Sequence, residues 1–319
     1  MSVPTNTAQT YQSTVIREDL SKIAELIAPT ETPFMTAIGK TTAASTHPEW
    51  VTVDLAAAVD TNAEIEGNDV TADAMTEGVR LSNYTMISDK VAQVSSTREN
   101  ADEVGDLNRM SKQVALKTQE LKRDMEKQIL SNKVAAAGSA SVARVSASFP
   151  SFLQTNVSRG TSGVNPVLSG TTTGYPTTAA VDGTQRAVTE ALLKAVIALV
   201  WNSGSDPSLV FVGSANKQLI SAFTGNATTF REMDSRKIVA AIDVYTSDFG
   251  ELQIVPSRLM RARDVLIVDP SKVEIAYFQK LQQTPLAKTG HSEKRMVFTE
   301  YCLKVLNERA HGIVADTGG

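Results

Sequence analysis

The stretch from Asp106 to Gly138, DLNRMSKQVALKTQELKRDMEKQILSNKVAAAG, is the most strongly patterned part of the 319-residue sequence. Its apolar residues recur at intervals of three and four, the spacing of one buried helix face. They are Leu107, Met110, Val114, Leu121, Met125 and Ile129. Asp106 can cap the start of a helix and Gly138 can end it. The pattern predicts a helix from Leu107 to about Ala137, roughly 45 Å long, as a spine on which a sheet packs.

The other side of this predicted helix is basic. Its bases outnumber the acids Glu120, Asp124 and Glu126. The basic residues are Arg109, Lys112, Lys117, Lys122, Arg123 and Lys127, followed by Lys133. A basic surface of this kind is available to an acidic partner, or is simply solvated.

Upstream of the helix, residues Glu49 to Leu55 and Val79 to Ser95 alternate in the manner of strands. The segment between them is acidic and contains no Lys or Arg before Arg80. Its acids, counted from the first strand, are Asp54, Asp60, Glu64, Glu66, Asp69, Asp73 and Glu77. Two strands enclosing about 20 polar residues predict a long extended hairpin, and loops of that length are usually functional or disordered.

The N-terminal part predicts an arm. The first 16 residues are rich in Thr, Ser, Gln and Asn, and residues 17–28 have a helical pattern that Pro29 and Pro33 end. A segment of about 40 residues cannot bury its own apolar side, so we expect it to contact another part of the chain or a neighbouring subunit. We predict that the arm lies against an adjacent subunit and buries there Leu20, Ile23, Ile27, Phe34 and Met35.

Downstream, residues 138–184 have the Gly, Ala, Ser and Thr content of a connector, and an α/β region follows. Helices are predicted at 184–202 and 215–223, and strands at 209–212, 242–245, 252–255, 265–268, 273–278 and 295–307. The last four residues, Asp316 to Gly319, are predicted to be a loose tail.

Composition excludes several classes of protein. A single cysteine, Cys302, excludes an intrachain disulfide framework and a cysteine-based zinc site. The three histidines are far apart, and the net charge of −4 argues against a basic nucleic-acid binder. No segment approaches the ~18 apolar residues of a membrane span, and the N-terminus lacks the regions of a secretory signal.

No catalytic constellation is present. Gly39-Lys40-Thr41 copies the end of a phosphate-binding loop, but Phe34 stands where that motif requires its first glycine. Cys302 lies in an alternating strand, where a buried thiol is expected. The acids between the strands do not have calcium-loop spacing, although a calcium site there is conceivable. We therefore predict no catalytic residues, no metal and no cofactor, and a protein that contacts other proteins.

Short motifs in the same order along nearly the whole chain resemble those of tailed-bacteriophage major capsid proteins. The motifs are Arg17-Glu18-Asp19-Leu20-Ser21, residues 27–35, His47-Pro48-Glu49-Trp50, residues 54–57, residues 66–69, residues 154–160, residues 245–250, residues 288–291, Glu300-Tyr301 and Ala310-His311-Gly312. The resemblance implies the Hong Kong 97-type capsid fold, which is of the α+β class. Its parts would be an N-arm (1–46), an extended loop or E-loop (47–98), a peripheral-domain spine helix (99–137), a connector and α/β axial domain (138–264), and peripheral return strands with a C-terminal tail (265–319).

The resemblance also implies a function. The protein would assemble with itself into hexamers and pentamers of an icosahedral shell around double-stranded DNA, bound without sequence specificity. It would reside in the virion, and in the host cytoplasm before assembly. A portal protein is an implied partner, scaffolding and decoration proteins are left open, and no membrane is involved. The alternatives are a shell protein of a bacterial encapsulating compartment and another virion structural protein. We further expect the acidic loop of one subunit to pair with the basic spine helix of a neighbour.

Overall fold

The computed structural model describes residues 30–100, 109–223 and 244–318, except positions 54, 57, 68, 70, 71, 73, 74, 76 and 171. The helices are α1 (Pro33–Ala37), α2 (Ser96–Asn100), α3 (Met110–Ile129), α4 (Glu190–Asn202) and α5 (Ser214–Ser221). The strands are β1 (Gly39–Thr42), β2 (Glu49–Thr52), β3 (Val79–Ser82), β4 (Met86–Ser95), β5 (Val157–Ser158), β6 (Val167–Leu168), β7 (Pro176–Thr178), β8 (Leu209–Val212), β9 (Val244–Ser247), β10 (Gly250–Pro256), β11 (Val265–Val268), β12 (Val273–Pro285), β13 (Ser292–Val305) and β14 (Gly312–Val314). The helix predicted at 17–28 lies outside the described residues. The α+β class is confirmed.

Helix α3 packs against a four-stranded sheet of order β1-β12-β13-β4. Strand β1 is parallel to β12, and β13 is antiparallel to both β12 and β4. Alternate residues of β4 turn toward the helix, and Ala92 and Val94 cluster there with Met110. The predicted spine helix on a sheet is therefore present.

The helix is shorter than predicted. It ends at Ile129, not near Ala137, and its 20 residues span about 30 Å. Ser131 and Asn132 carry side chains that compete with helical hydrogen bonding. The Ser131 hydroxyl donates to the Gln128 carbonyl at 2.7 Å, and Asn132 Nδ2 donates to the Ala180 carbonyl at 2.7 Å. The following alanines leave the helix, and Ala136 pairs with Val145.

A second sheet has six strands in the order β5-β14-β11-β8-β10-β9. Strand β8 is parallel to β10 and antiparallel to β11. Helix α4 covers this sheet with Leu193, Val196 and Ile197, which are at most 1% exposed. Strand β11 pairs with β8 on one side and β14 on the other, so all four of its residues are buried.

The predicted pair of strands around the acidic segment is also present. Strand β2 is antiparallel to β3, with Glu49 opposite Ser82 and Thr52 opposite Val79. The strand predicted over 79–95 is interrupted, because the buried Asn83 turns its side chain into the core. Its Nδ2 donates to the Leu303 carbonyl at 2.7 Å, and its Oδ1 accepts from the Ala147 N–H at 2.9 Å.

Asp316 and Thr317 are part of the core, so the loose tail predicted from Asp316 onward is wrong at these positions. Gly319 lies outside the described residues. Asp316 is fully buried and has a left-handed φ of 59°. Its carboxylate accepts the N–H groups of Gly160 and Gly183 at 3.0 and 2.8 Å. A Cβ at Gly160 would lie 2.0 Å from the Thr184 carbonyl oxygen, so only glycine permits this approach. The buried acceptor with its donors fixes the terminus.

Candidate functional site

The long loop, residues 53–78, leaves the molecule from the β2–β3 pair. Trp50 anchors the pair to the core, and its Nε1 donates to the Val305 carbonyl at 2.7 Å. Gly78 closes the base of the loop, since a Cβ there would lie 2.3 Å from Val51 Cγ1. Every described residue from 53 to 78 is exposed. The loop therefore has a fixed root, and its described residues are not buried in their own subunit.

The structure places the predicted acids of the loop on its surface. Asp60, Glu64, Glu66, Asp69 and Glu77 are all exposed. Asp54 and Asp73 lie outside the described residues. Because the segment contains no Lys or Arg, these carboxylates give the loop a uniformly negative charge.

The loop also exposes large apolar side chains, which sequence reasoning missed. Leu55 is 95% exposed, Met75 92% and Ile65 82%. Val59 and Val53 are 67% and 61% exposed. Single exposed apolar residues are ordinary, but a set of them on one extended segment indicates a surface that a partner covers. The sequence did contain a signal for this surface, because the apolar residues of the loop follow neither the period of a helix nor that of a strand.

The basic residues of α3 do not form one open stripe. Lys117 pairs with Glu120 on the same helix at 2.9 Å, and Lys127 Nζ donates to the Leu259 carbonyl at 3.2 Å. Arg109 and Lys122 are exposed, whereas Lys112 and Arg123 are half-buried. Some of the predicted charge is thus engaged within the subunit, and Lys122 is the exposed base at the middle of the helix.

Glu126 lies in the protein interior, although the sequence pattern placed it on the charged side of the helix with Glu120 and Asp124. It is fully buried, and its Oε1 and Oε2 accept the N–H groups of Phe34 and Met35 at 3.3 and 3.0 Å. The Ser257 hydroxyl donates to Oε1 at 3.4 Å. Burial raises the pKa of this carboxyl, and the three donors oppose that rise. Glu126 joins the root of the arm to the spine helix.

The structure places Phe34 and Met35, which we predicted in the contact of the arm with an adjacent subunit, in the core of their own chain. Phe34 is fully buried in its own chain, with ring centroids 5.4 Å from Phe149 and 5.1 Å from Phe211. Met35 is 6% exposed in the same core. Leu20, Ile23 and Ile27 lie outside the described residues. The apolar pair therefore anchors the arm to its own subunit, because a buried side chain presents no surface to a partner.

The residues that the sequence analysis considered as catalytic or metal-binding candidates have structural roles in the fold. Gly39-Lys40-Thr41 lies in β1, paired in parallel with β12, and not in a phosphate-binding loop. Cys302 is fully buried, as predicted, and burial raises the pKa of its thiol to about 12. His47 stacks on Tyr84 with ring centroids 4.2 Å apart. Within the described ranges, no three His, Cys, Asp or Glu side chains gather as metal ligands, and no helix is long and apolar enough to cross a bilayer.

Comparisons with known proteins agree on one class. The sequence model of the family described as "SU10 major capsid protein" matches residues 3–318. The major capsid protein of Escherichia phage Phieco32 is 23% identical over 325 residues, with 92% of each chain covered.

Solved structures show the same fold. The similar chain from Mycobacterium phage Bobi has a TM-score of 0.60 at 11% identity, over 96% of this chain and 97% of that one. The capsid of cyanophage P-SCSP1u gives a TM-score of 0.61 at 10% identity, over 99% and 97% of the two chains. Because the sequence identity is so low, these structural similarities establish the fold alone.

Proposed function

Because the chain belongs to the SU10 major capsid protein family and is a major capsid protein of a tailed phage, we propose that its hexamers and pentamers close the shell around double-stranded DNA. The family match and the phage capsid structures favour this function over an encapsulating compartment. Rings of identical subunits require a heterologous contact, in which one surface of a subunit meets a different surface of the next.

The observation that carries the proposal is the exposed long loop. Each described residue of 53–78 faces solvent, and the loop holds apolar side chains that are up to 95% exposed. Covering a large apolar side chain contributes about 1.5–3 kcal/mol, whereas an exposed ion pair contributes at most about 1 kcal/mol. The apolar residues therefore supply most of the contact energy on a neighbour, and the acids set its register and salt response.

The basic residues of the spine helix are proposed as the surface that receives that loop. We propose that Arg109, Lys112, Lys117, Lys122, Arg123 and Lys127 attract the acids of a neighbouring loop. Lys122 carries most of this role, because its charge is exposed and central on the helix.

The arm is proposed to contact an adjacent subunit through Leu20, Ile23 and Ile27. The anchoring of Phe34 and Met35 supports this proposal, because a firmly held root lets the segment before it extend away from the core.

The role proposed for the protein is structural and not enzymatic. DNA is enclosed without sequence recognition, and the net charge of −4 suits a lining that must release the genome. A portal protein is a proposed partner. The protein resides in the virion, and we propose the host cytoplasm as its location before assembly.

Electron microscopy of the protein expressed alone, with sedimentation at low and high salt, tests the proposal. We expect closed particles or rings that weaken as salt rises, because ion pairs are screened. A subunit that stays monomeric at every salt concentration would contradict self-assembly.

A further inference from the structure

Asp182-Gly183 is the one position in the sequence where an Asp or an Asn precedes a Gly. This pair is chemically fragile, because glycine has no side chain to shield its backbone nitrogen. That nitrogen can attack Asp182 Cγ, which forms an N–Cγ bond and releases water from the carboxyl hydroxyl and the amide proton. Water then reopens the five-membered succinimide. When the bond from the nitrogen to the Asp182 backbone carbonyl carbon breaks, the product is isoaspartate.

Two arginines hold the carboxylate of Asp182. Arg261 Nη2 donates to both of its oxygens at 2.7 Å, and Arg263 Nη1 lies 2.9 Å from Oδ2. Burial alone would raise the pKa of this carboxyl, but the two guanidinium groups hold the pKa below its usual range. A carboxyl group loses an oxygen as water only when it is protonated. The ion pairs therefore keep Asp182 in its unreactive form.

The attacking nitrogen is held as well. The Gly183 N–H donates to Asp316 Oδ1 at 2.8 Å, and the Gly183 carbonyl accepts from Arg263 Nη2 at 3.0 Å. A Cβ at Gly183 would lie 2.7 Å from the carbonyl oxygens of Gly160 and Thr161, so neighbouring backbone encloses this residue. Ring closure requires the nitrogen to leave Asp316 and turn toward Cγ, which these contacts oppose.

We propose that Asp182-Gly183 is a latent isoaspartate site that Arg261 and Arg263 keep closed. The two arginines are positioning residues, because they hold the reacting groups apart and do not react themselves. The protection concerns the covalent integrity of the chain, and it does not depend on which surfaces join the subunits. A shell protein is not replaced after assembly, so damage at this site would accumulate for as long as the particle exists.

Conversion at this site loosens the end of the chain. The side chain of Asp182 is 34% exposed, so water reaches the succinimide once it forms. Isoaspartate inserts Cβ into the main chain and moves the Gly183 N–H away from Asp316. That carboxylate is fully buried and then keeps the Gly160 N–H, at 3.0 Å, as its backbone donor from this pair of contacts. A buried acceptor that loses a donor is destabilised.

Storage of the full-length protein at neutral pH tests the proposal. Trypsin cleaves after Arg159 and Arg186, and the peptide between them contains Asp182 as its only Asp. Mass spectrometry with electron-transfer fragmentation distinguishes isoaspartate from aspartate in that peptide. We expect wild type to stay unconverted and R263Q to convert several-fold faster. R258Q, which removes an exposed arginine of the same segment, is the matched control and keeps the wild-type rate.

Protection by the ion pairs must be separated from a general loss of structure. R261Q would leave the buried Asp264 without a partner at 3.0 Å, so R263Q is the principal variant. R263K keeps the positive charge, and we expect it to restore part of the protection. Urea denaturation gives the unfolded fraction of each variant, and wild type held in urea gives the conversion rate of the unprotected chain.

Three results would overturn the proposal. The first is folded R263Q that converts no faster than wild type. The second is a rise in R263Q that its unfolded fraction explains in full. The third is folded wild type that converts as fast as the chain in urea.

Discussion

Glu126 is the residue that joins three segments of the fold. Helix α1 begins without a side-chain cap from Thr32, and its first N–H groups are bound by Glu126 from 91 and 92 residues away in the chain. A carboxylate at a helix N-terminus satisfies donors that the helix itself leaves unpaired. A sequence pattern cannot reveal such a cap, because it identifies local caps and not distant ones.

Replacing Glu126 tests this cap. In E126Q one carboxylate oxygen becomes an N–H donor, so a buried N–H group loses its acceptor. We expect the free energy of unfolding of the subunit to fall by about 1–3 kcal/mol, measured by urea denaturation. E120Q on the same helix is the control, and we expect a loss of at most about 1 kcal/mol because that pair is partly exposed. Equal stability of E126Q and wild type would contradict the assignment.

His311 makes stability depend on pH. It is fully buried, its Nδ1 accepts the Asp269 N–H at 3.2 Å, and burial lowers its pKa to about 4 from 6.5. Between these values the unfolded chain binds a proton that the folded chain does not. The contribution of His311 is therefore complete above pH 6.5 and is lost as pH falls toward 4, by about 3 kcal/mol.

The measurement is the difference in unfolding free energy between wild type and H311N across pH 4–7. We expect the advantage of wild type to shrink toward acid. The comparison of variants is needed because Asp264 acts in the opposite direction. Burial raises the pKa of Asp264 to about 6, so its contribution to stability falls as pH rises from 3.8 to 6. A difference that stays constant with pH would show that His311 does not titrate as stated.

At the scale of elements, two short buried strands were predictable with their ends, whereas the end of the long helix was not. Strands β8 and β11 were predicted with the bounds they have, because each is a short apolar run flanked by turn residues. The end of α3 was missed because Ser131 bonds back to the Gln128 carbonyl and Asn132 bonds to the distant Ala180 carbonyl, contacts that the apolar period does not show. The run of acidic residues allowed the loop to be predicted. Its exposed apolar residues were missed because they show no regular spacing.

The apolar residues of the long loop have separate effects on folding and assembly. In L55S/I65S/M75S we expect the stability of the subunit to change by less than about 0.5 kcal/mol, because these side chains are already exposed. Particle yield falls strongly, because their contact on the neighbour is lost. V142S with V164S, which changes exposed valines outside the loop, is the matched control. Normal particles from the loop variant would contradict the role of the loop.

Lys122 tests the contribution of the spine helix. We expect K122E to lower particle yield at low salt by up to about tenfold and to have little effect at high salt. Reversal of another exposed lysine, K272E, controls for the change in net charge. An identical loss in both variants would mean that overall charge, and not the helix surface, sets the yield.

The whole molecule combines a core that is buried within one subunit with exposed apolar and charged surfaces that a neighbouring subunit can cover. The two sheets, α3 and the buried C-terminus account for the fold of one subunit. The described residues of the long loop are exposed outside that core. A chain built in this way can form repeated head-to-tail contacts without changing its core.

The most direct measurement is a cryo-electron microscopy reconstruction of the assembled particle at side-chain resolution. We predict that residues 53–78 of each subunit lie on the neighbouring subunit, with Leu55, Ile65 and Met75 covered there. A reconstruction in which the loop lies on its own subunit, or stays in solvent, would contradict the central claim that this loop joins the subunits of the shell.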